Sequence, residues 1–273
     1  MLLLDGRSLQ IADVMAVADG VLAVGLAPEA RARMQVTRDV VDRAVARAEP
    51  VYGINTGFGK LSEVTIAGDQ LAALQRNLVR SHAAGVGDPL PEREVRAMML
   101  LRANVLATAF AGARPIVVES LLAMLNAGVW PVVPEQGSVG ASGDLAPLAH
   151  LALTLIGEGT ARLHGREAPS LELLNAAGLV AVTLEAKEGL ALINGTQAHT
   201  AVATLACTEL TRLWHAAHVA TAMSLEALLG TPDAFDARIQ EARGQSGQME
   251  SAAMLRMLLD GSEIRESHRF GDP

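Results

Sequence analysis

Residues 188–229 read EGLALINGTQAHTAVATLACTELTRLWHAAHVATAMSLEALL. The run holds no proline and few breakers, and its apolar residues return at helical spacing. It is too long for an ordinary surface helix. That predicts a mainly α fold, a long-helix bundle preceded by a helical N-terminal region with loop-borne site residues and few short strands. Composition agrees, because Ala, Leu and Met dominate while aromatic residues make up only 3% of the 273. Helical patterns also occupy roughly 27–48, 69–84, 91–111, 115–127 and 144–157. In the first, Val36, Val40, Val41, Ala44, Val45 and Ala48 form an apolar face opposite Arg38, Asp39, Asp42 and Arg43, and Pro50 ends it. Strands are expected only at Met1–Leu4 and, as a small hairpin around Gly165, at 160–166. No linker interrupts the chain, which divides into a loop-rich helical region over about 1–188 and the start of the bundle over 189–273. Alanine-rich helices this long pack against copies of themselves, so a homo-oligomer is expected.

Half of the residues are hydrophobic, enough for a sizeable core. The net charge of −8, with no basic run, excludes a nucleic-acid surface. The start Met1-Leu-Leu-Leu-Asp5-Gly6-Arg7 lacks the basic flank and apolar length of a secretory signal, and no apolar stretch is long enough to span a bilayer. A cytoplasmic protein without membrane partners is expected. Cys207, the only cysteine, reads as a buried small apolar residue. His215 and His218 stand at i and i+3 with no carboxylate or cysteine to complete a metal site, so no metal is expected.

The segment Gly137-Ser-Val-Gly-Ala-Ser-Gly-Asp-Leu-Ala-Pro-Leu-Ala-His150 carries the chemistry. In a tightly bent loop, the unhindered amide nitrogen of Gly143 can attack the carbonyl carbon of Ala141. Loss of two waters then leaves an imidazolone ring on which the former Ser142 bears an exocyclic methylene, an acceptor for amines. Each residue type is required: glycine for close approach, alanine to avoid crowding, serine for a hydroxyl that can be eliminated. Tyr52, the only tyrosine, stands in Val51-Tyr-Gly-Ile-Asn-Thr-Gly-Phe-Gly-Lys60. The glycine spacing before Lys60 is wrong for a phosphate loop and Leu61 replaces the required Ser or Thr. Gly137, Gly140 and Gly143 fail the dinucleotide pattern as well. A phenol with a pKa of ~10 acts as a base near neutrality only where positive charge or donors stabilise its anion. By residue type alone, His82, in Arg76-Asn-Leu-Val-Arg-Ser-His-Ala-Ala-Gly85, reads as a helix-capping or surface residue, and Asn194 as an N-cap or turn residue.

The segment 137–150 resembles the signature of the aromatic amino acid ammonia-lyases, whose prosthetic group is methylidene-imidazolone (MIO). The resemblance implies that MIO forms autocatalytically from Ala141, Ser142 and Gly143, that Tyr52 is the base taking the β-proton, and that Asn194 helps hold the ring and the amino-acid end of a small-molecule substrate. It gives Asn55 and Gly59 no defined role, and Gln197 only a neighbouring one. Ser81-His82 and its flanks look like the histidine-specific members, in which the histidine contacts the substrate imidazole and L-histidine becomes urocanate and ammonia. Sister specificities toward phenylalanine or tyrosine, an aminomutase, and a non-catalytic helical fragment are the alternatives. The resemblance also implies homotetramers, with no metal or external cofactor. It matches about the first half of a family member, so that the arginine binding the substrate carboxylate and an acidic contact to the imidazole belong to a C-terminal half beyond residue 273. Encoded chemistry and activity of this length of chain are therefore separate expectations.

Overall fold

The computed structural model describes residues 1–47, 50–59, 62–139 and 143–267. Two compact units divide at Leu205, Met1–Leu205 and Ala206–Pro273. Among the described residues no helix is long and apolar enough to cross a membrane.

The first unit is built on α1 (Ile11–Ala18), α2 (Pro28–Arg47), α3 (Leu71–His82), α4 (Glu92–Ala107), α5 (Pro115–Ala127), α6 (Leu145–Leu155), α7 (Ser170–Ala176), α8 (Glu188–Ile193) and the start of α9 (Gln197–Ala227). The fold is mainly α, as expected. The predicted 115–127 helix has those bounds because Pro115 stands in its first turn and Gly128, at φ +70°, ends it in the left-handed conformation. Met98, Met99, Leu100 and Leu106 of α4, Leu121 and Met124 of α5, and Leu148, Leu151 and Leu155 of α6 form the solvent-free centre of the core. A face of each of these helices is consequently apolar at i, i+3 and i+4 spacing.

The face assigned to α2 is corrected. Ala30, Met34, Arg38 and Val41 are buried, whereas Val36 and Val40 are exposed. Arg38, only 3% exposed, turns inward because it donates to the Ala186 carbonyl oxygen at 3.0 Å and the Glu185 carboxylate at 2.9 Å.

Strands are short. β1 (Leu2–Leu4) pairs in parallel with β2 (Val24–Leu26), and β4 (Val129–Pro131), β6 (Thr160–Leu163) and β7 (Arg166–Pro169) form an antiparallel sheet in the order β4-β6-β7. β6 and β7 are the expected hairpin. β3 (Val86–Pro89) pairs antiparallel with β5 (Pro134–Gln136), placing the segment that leaves α3 beside the segment that enters residues 137–144.

In the second unit, α10 (Ala237–Arg243) is capped by Asp236, which accepts from the Arg238 amide. Leu255 and Leu259 of α11 (Ser246–Leu259) pack with Ala222, Leu225 and Phe235. α12 (Glu263–Glu266) follows. Cys207 is exposed rather than buried, because the α9 residues around it, Ala206 and Leu210, also face outward. His218 is buried, its Nδ1 donating to the Trp214 carbonyl oxygen at 2.7 Å. Among the described residues no cluster of metal-ligating side chains occurs.

Candidate active site

The predicted long helix is interrupted at Asn194-Gly195-Thr196, so α8 and α9 meet in a turn. Asn194 is the C-terminal cap of α8, at φ −89° and ψ 96°, and its carboxamide side of the turn is exposed. Gly195 is required because a Cβ there would collide with Gln197 Oε1 and Arg102 Nη1. Arg102 reaches into the turn from α4, donating to the carbonyl oxygen of Ala191, to that of Asn194 at 3.2 Å, and to Gln197 Oε1 at 2.6 Å. Burial lowers its pKa to about 10.

Three further elements converge on residues 188–199. From α3, the carboxamide oxygen of the buried Gln75 accepts from the amides of Gly189 at 2.9 Å and Leu190 at 3.3 Å. From the tyrosine loop, Gly53 lies so close to α8 that a Cβ on it would stand 2.8 Å from Leu190 Cδ2. From the head of α6, Asp144 sends its carboxylate across to α9. Although it occupies the N-cap of α6, it does not cap that helix. Its Oδ2 accepts from the amides of Ala198 at 2.7 Å and His199 at 3.0 Å, and its Oδ1 from Ser138 Oγ and His199 Nδ1, both at 2.9 Å. The orphan amides of a helix N-terminus are thereby satisfied by a buried anion.

Tyr52 sits on a turn anchored by Asn55, whose side-chain oxygen accepts from the Val51 amide at 2.8 Å. The ring is 61% exposed and meets Phe58 edge-on at 6.2 Å. His82 is the last residue of α3. Its Nδ1 lies 2.9 Å from the Leu78 carbonyl oxygen and 3.1 Å from Ser81 Oγ, which turns Nε2 away from the helix end. Three residues on, the Gly85 amide donates to His150 Nε2 of α6 at 3.1 Å, pinning the exit of α3 against the helix that follows the signature.

Burial lowers the His150 pKa below its ordinary 6.5, and the Gly85 bond needs Nε2 unprotonated. The folded state therefore binds fewer protons than the unfolded one as pH falls past that value. The stability contributed by this bond is fully present above about pH 6.5 and is lost as pH drops through the folded pKa. Urea unfolding across pH 5–8 is expected to show this slope, and His150→Gln, which keeps an acceptor and cannot titrate, is expected to flatten it.

Ala141 and Ser142, with Gly140 before them, lie outside the described residues. Gly143 has φ +89°, a conformation glycine adopts freely, and a Cβ there would press 3.3 Å from Ser138 Oγ. Gly137 is equally close-packed, its Cβ position 3.2 Å from Gly85 Cα. Asp144 fixes the residue that follows. The elements bearing Tyr52, His82, Gly143 and Asn194 are thus tied to one turn. Gln75, Arg102, Asp144 and His199, which do much of the tying, were not singled out by sequence.

The pattern describing aromatic amino acid lyases matches residues 9–273. The chain is 57% identical over 275 residues to the histidine ammonia-lyase of Anaeromyxobacter dehalogenans (strain 2CP-C), covering 98% of this chain and 54% of that protein. It is 50% identical to the enzyme of the same name from Geobacillus thermodenitrificans (strain NG80-2), covering 97% of this chain and 52% of the relative. Among solved structures, histidine ammonia-lyase from Trypanosoma cruzi superposes with a TM-score of 0.87 at 40% identity, over 98% of this chain and 53% of that one. Tyrosine aminomutase from Streptomyces globisporus superposes with a TM-score of 0.88 at 35% identity, over 99% and 52%. The chain spans about half the length of the curated relatives it matches. With the signature, the helical fold and the pattern match all covering it, this chain belongs to the aromatic amino acid lyase family.

Proposed function

We propose that the chain carries the electrophile-bearing part of a histidine ammonia-lyase site, which eliminates ammonia from L-histidine to give urocanate. The observation that carries this reading is the convergence on residues 188–199. Gly53 beside Tyr52, Gln75 of the helix ending in His82, and Asp144 next to Gly143 all contact the segment that includes Asn194. Specificity follows from the identity to histidine ammonia-lyases, since the fold match to tyrosine aminomutase is equally close and does not discriminate.

MIO, formed from Ala141, Ser142 and Gly143, would supply an electrophile that turns the poorly leaving amine into a better leaving group. Around it, Tyr52 is the base for the β-proton, its ring exposed on an anchored turn. His82, with Nδ1 against the Leu78 carbonyl oxygen, presents Nε2 to a substrate imidazole. Asn194 offers a carboxamide from a turn whose backbone Arg102 holds through the Asn194 carbonyl oxygen. The chain is expected to self-associate, in keeping with the exposed Leu210, Leu213, Val219 and Met223 along α9.

The test is intact mass with mapping of the peptide holding residues 141–143. The wild-type peptide is expected to lack two waters, and Ser142→Ala to abolish that double loss while leaving the fold unchanged. A wild-type peptide of full mass, or the double loss persisting in Ser142→Ala, overturns the reading.

A further inference from the structure

We propose that a cavity beside the start of α3 binds a free α-amino acid with an aliphatic side chain, held by Arg76 and Asp69. None of its residues belongs to the segment that would form the imidazolone, so the two readings stand or fall separately.

The cavity, of about 340 Å³, lies between the first half of α3, the residues that follow α6, and the segment 182–184 ahead of α8. Ligand pockets begin at roughly 300 Å³, so this one is sized for a single amino acid rather than a nucleotide. Asp69, in the turn Gly68–Gln70, and Arg76 of α3 supply one wall. Ile156, Val182 and Leu184 supply an aliphatic part, the last two of them buried. Glu158 also lines the cavity, but its carboxylate is already held by Arg80, from Nε at 2.6 Å and Nη2 at 2.7 Å.

The two remaining charges point to an amphoteric ligand. Asp69 and Arg76 line one cavity, yet their side chains form no ion pair or hydrogen bond with each other or with any other described residue. Their backbones stand about two helical turns apart, roughly 10 Å along the axis, which leaves room for a small molecule between the side chains. An amino acid supplies what each lacks. Its carboxylate accepts two parallel bonds from the planar Arg76 guanidinium, and its ammonium donates to the Asp69 carboxylate. Exposed charge pairs contribute little by themselves, so the aliphatic side chain, laid against Ile156, Val182 and Leu184, is the third requirement. An occupant would join α3 to the segment that leads into α8, the two elements that Gln75 also connects.

The test is methyl NMR of the chain with its isoleucine, leucine and valine methyl groups labelled with carbon-13. L-Leucine is expected to shift the Ile156, Val182 and Leu184 signals with a Kd on the order of 1 mM. 4-Methylpentanoate, which lacks the amine, and 3-methylbutylamine, which lacks the carboxylate, are each expected to bind about tenfold more weakly. Asp69→Asn is expected to weaken L-leucine about tenfold and leave 4-methylpentanoate unchanged. Arg76→Gln is expected to weaken L-leucine to a similar degree and leave 3-methylbutylamine unchanged. Both side chains are exposed, so neither substitution is expected to disturb the fold. Absence of these shifts up to roughly 20 mM L-leucine, equal binding of either one-ended analogue, unchanged binding by both variants, or shifts centred on Leu190 instead overturns the proposal.

Discussion

Asp144→Ala is expected to lower the stability of the chain by roughly 3 kcal/mol and to leave the 141–143 peptide at full mass. The carboxylate accepts four hydrogen bonds between 2.7 and 3.0 Å, two of them from amides at the start of α9. Alanine leaves those two amides without their acceptor, and bonds to a charged group are worth about 1.5–3 kcal/mol each where both partners are buried. The loss is also local. Asp144 follows Gly143 directly, and its bonds tie the end of the glycine-rich segment to α9, so that end loses its anchor. Asp144→Asn retains one oxygen acceptor but surrenders the charge that favours a helix N-terminus, and is expected to fall between wild type and alanine. Urea unfolding midpoints and peptide mass, measured on the same preparations, separate the two effects. An alanine variant with an unchanged midpoint would refute the stability argument; one that is destabilised yet loses both waters would refute the claim on the loop.

These two faces of Asp144 mark where sequence reading succeeds and stops. The helices were legible because burial at i, i+3 and i+4 leaves a local imprint, and α5 ends where Gly128 says it should. Strands such as Val86-Gly-Asp-Pro89 and Pro134-Glu-Gln136 leave none, since three or four residues containing proline or glycine cannot show an alternating pattern. Arg38 was placed on the wrong face because charge usually marks solvent, and only the distant Glu185 and the Ala186 carbonyl reverse that. The proposed site residues Tyr52, His82, Ser142 and Asn194 could be nominated from motifs. Those that hold them could not: Gln75 meets Gly189 across 114 positions and Asp144 meets Ala198 across 54. Such pairs satisfy a helix end with a side chain from elsewhere, and nothing in either local sequence announces the other.

Glu188→Leu is expected to cost about 3 kcal/mol, the lower end of the range for removing one partner of a buried ion pair. Its carboxylate is wholly buried at the start of α8, the end opposite Asn194. It accepts from the Arg114 amide at 3.0 Å, Nε at 2.9 Å and Nη2 at 2.8 Å, and from the Glu185 amide at 2.8 Å, with Arg38 Nη1 3.7 Å away. Hydrogen bonding to Glu188 is the main cause that raises the Arg114 pKa. Leucine would leave the partly exposed Arg114 guanidinium with Glu185 and the Thr183 carbonyl oxygen, and the nearly solvent-free Arg38 with Glu185, Asp42 and the Ala186 carbonyl oxygen. Because each single variant deprives the other partner of the same buried bonds, Glu188→Leu with Arg114→Leu is expected to be less destabilised than the sum of the two single variants. A double variant whose loss equals the sum of the two singles would show that the pair is not coupled. The position matters for the site, because α8 is only six residues long, too short to hold its own direction. It is fixed by Glu188 at one end, Gln75 in its first turn and Arg102 at the other end. Loosening the first end is therefore expected to disorder the turn that presents Asn194, which hydrogen exchange of the Gly189 and Leu190 amides would report as lost protection before global unfolding.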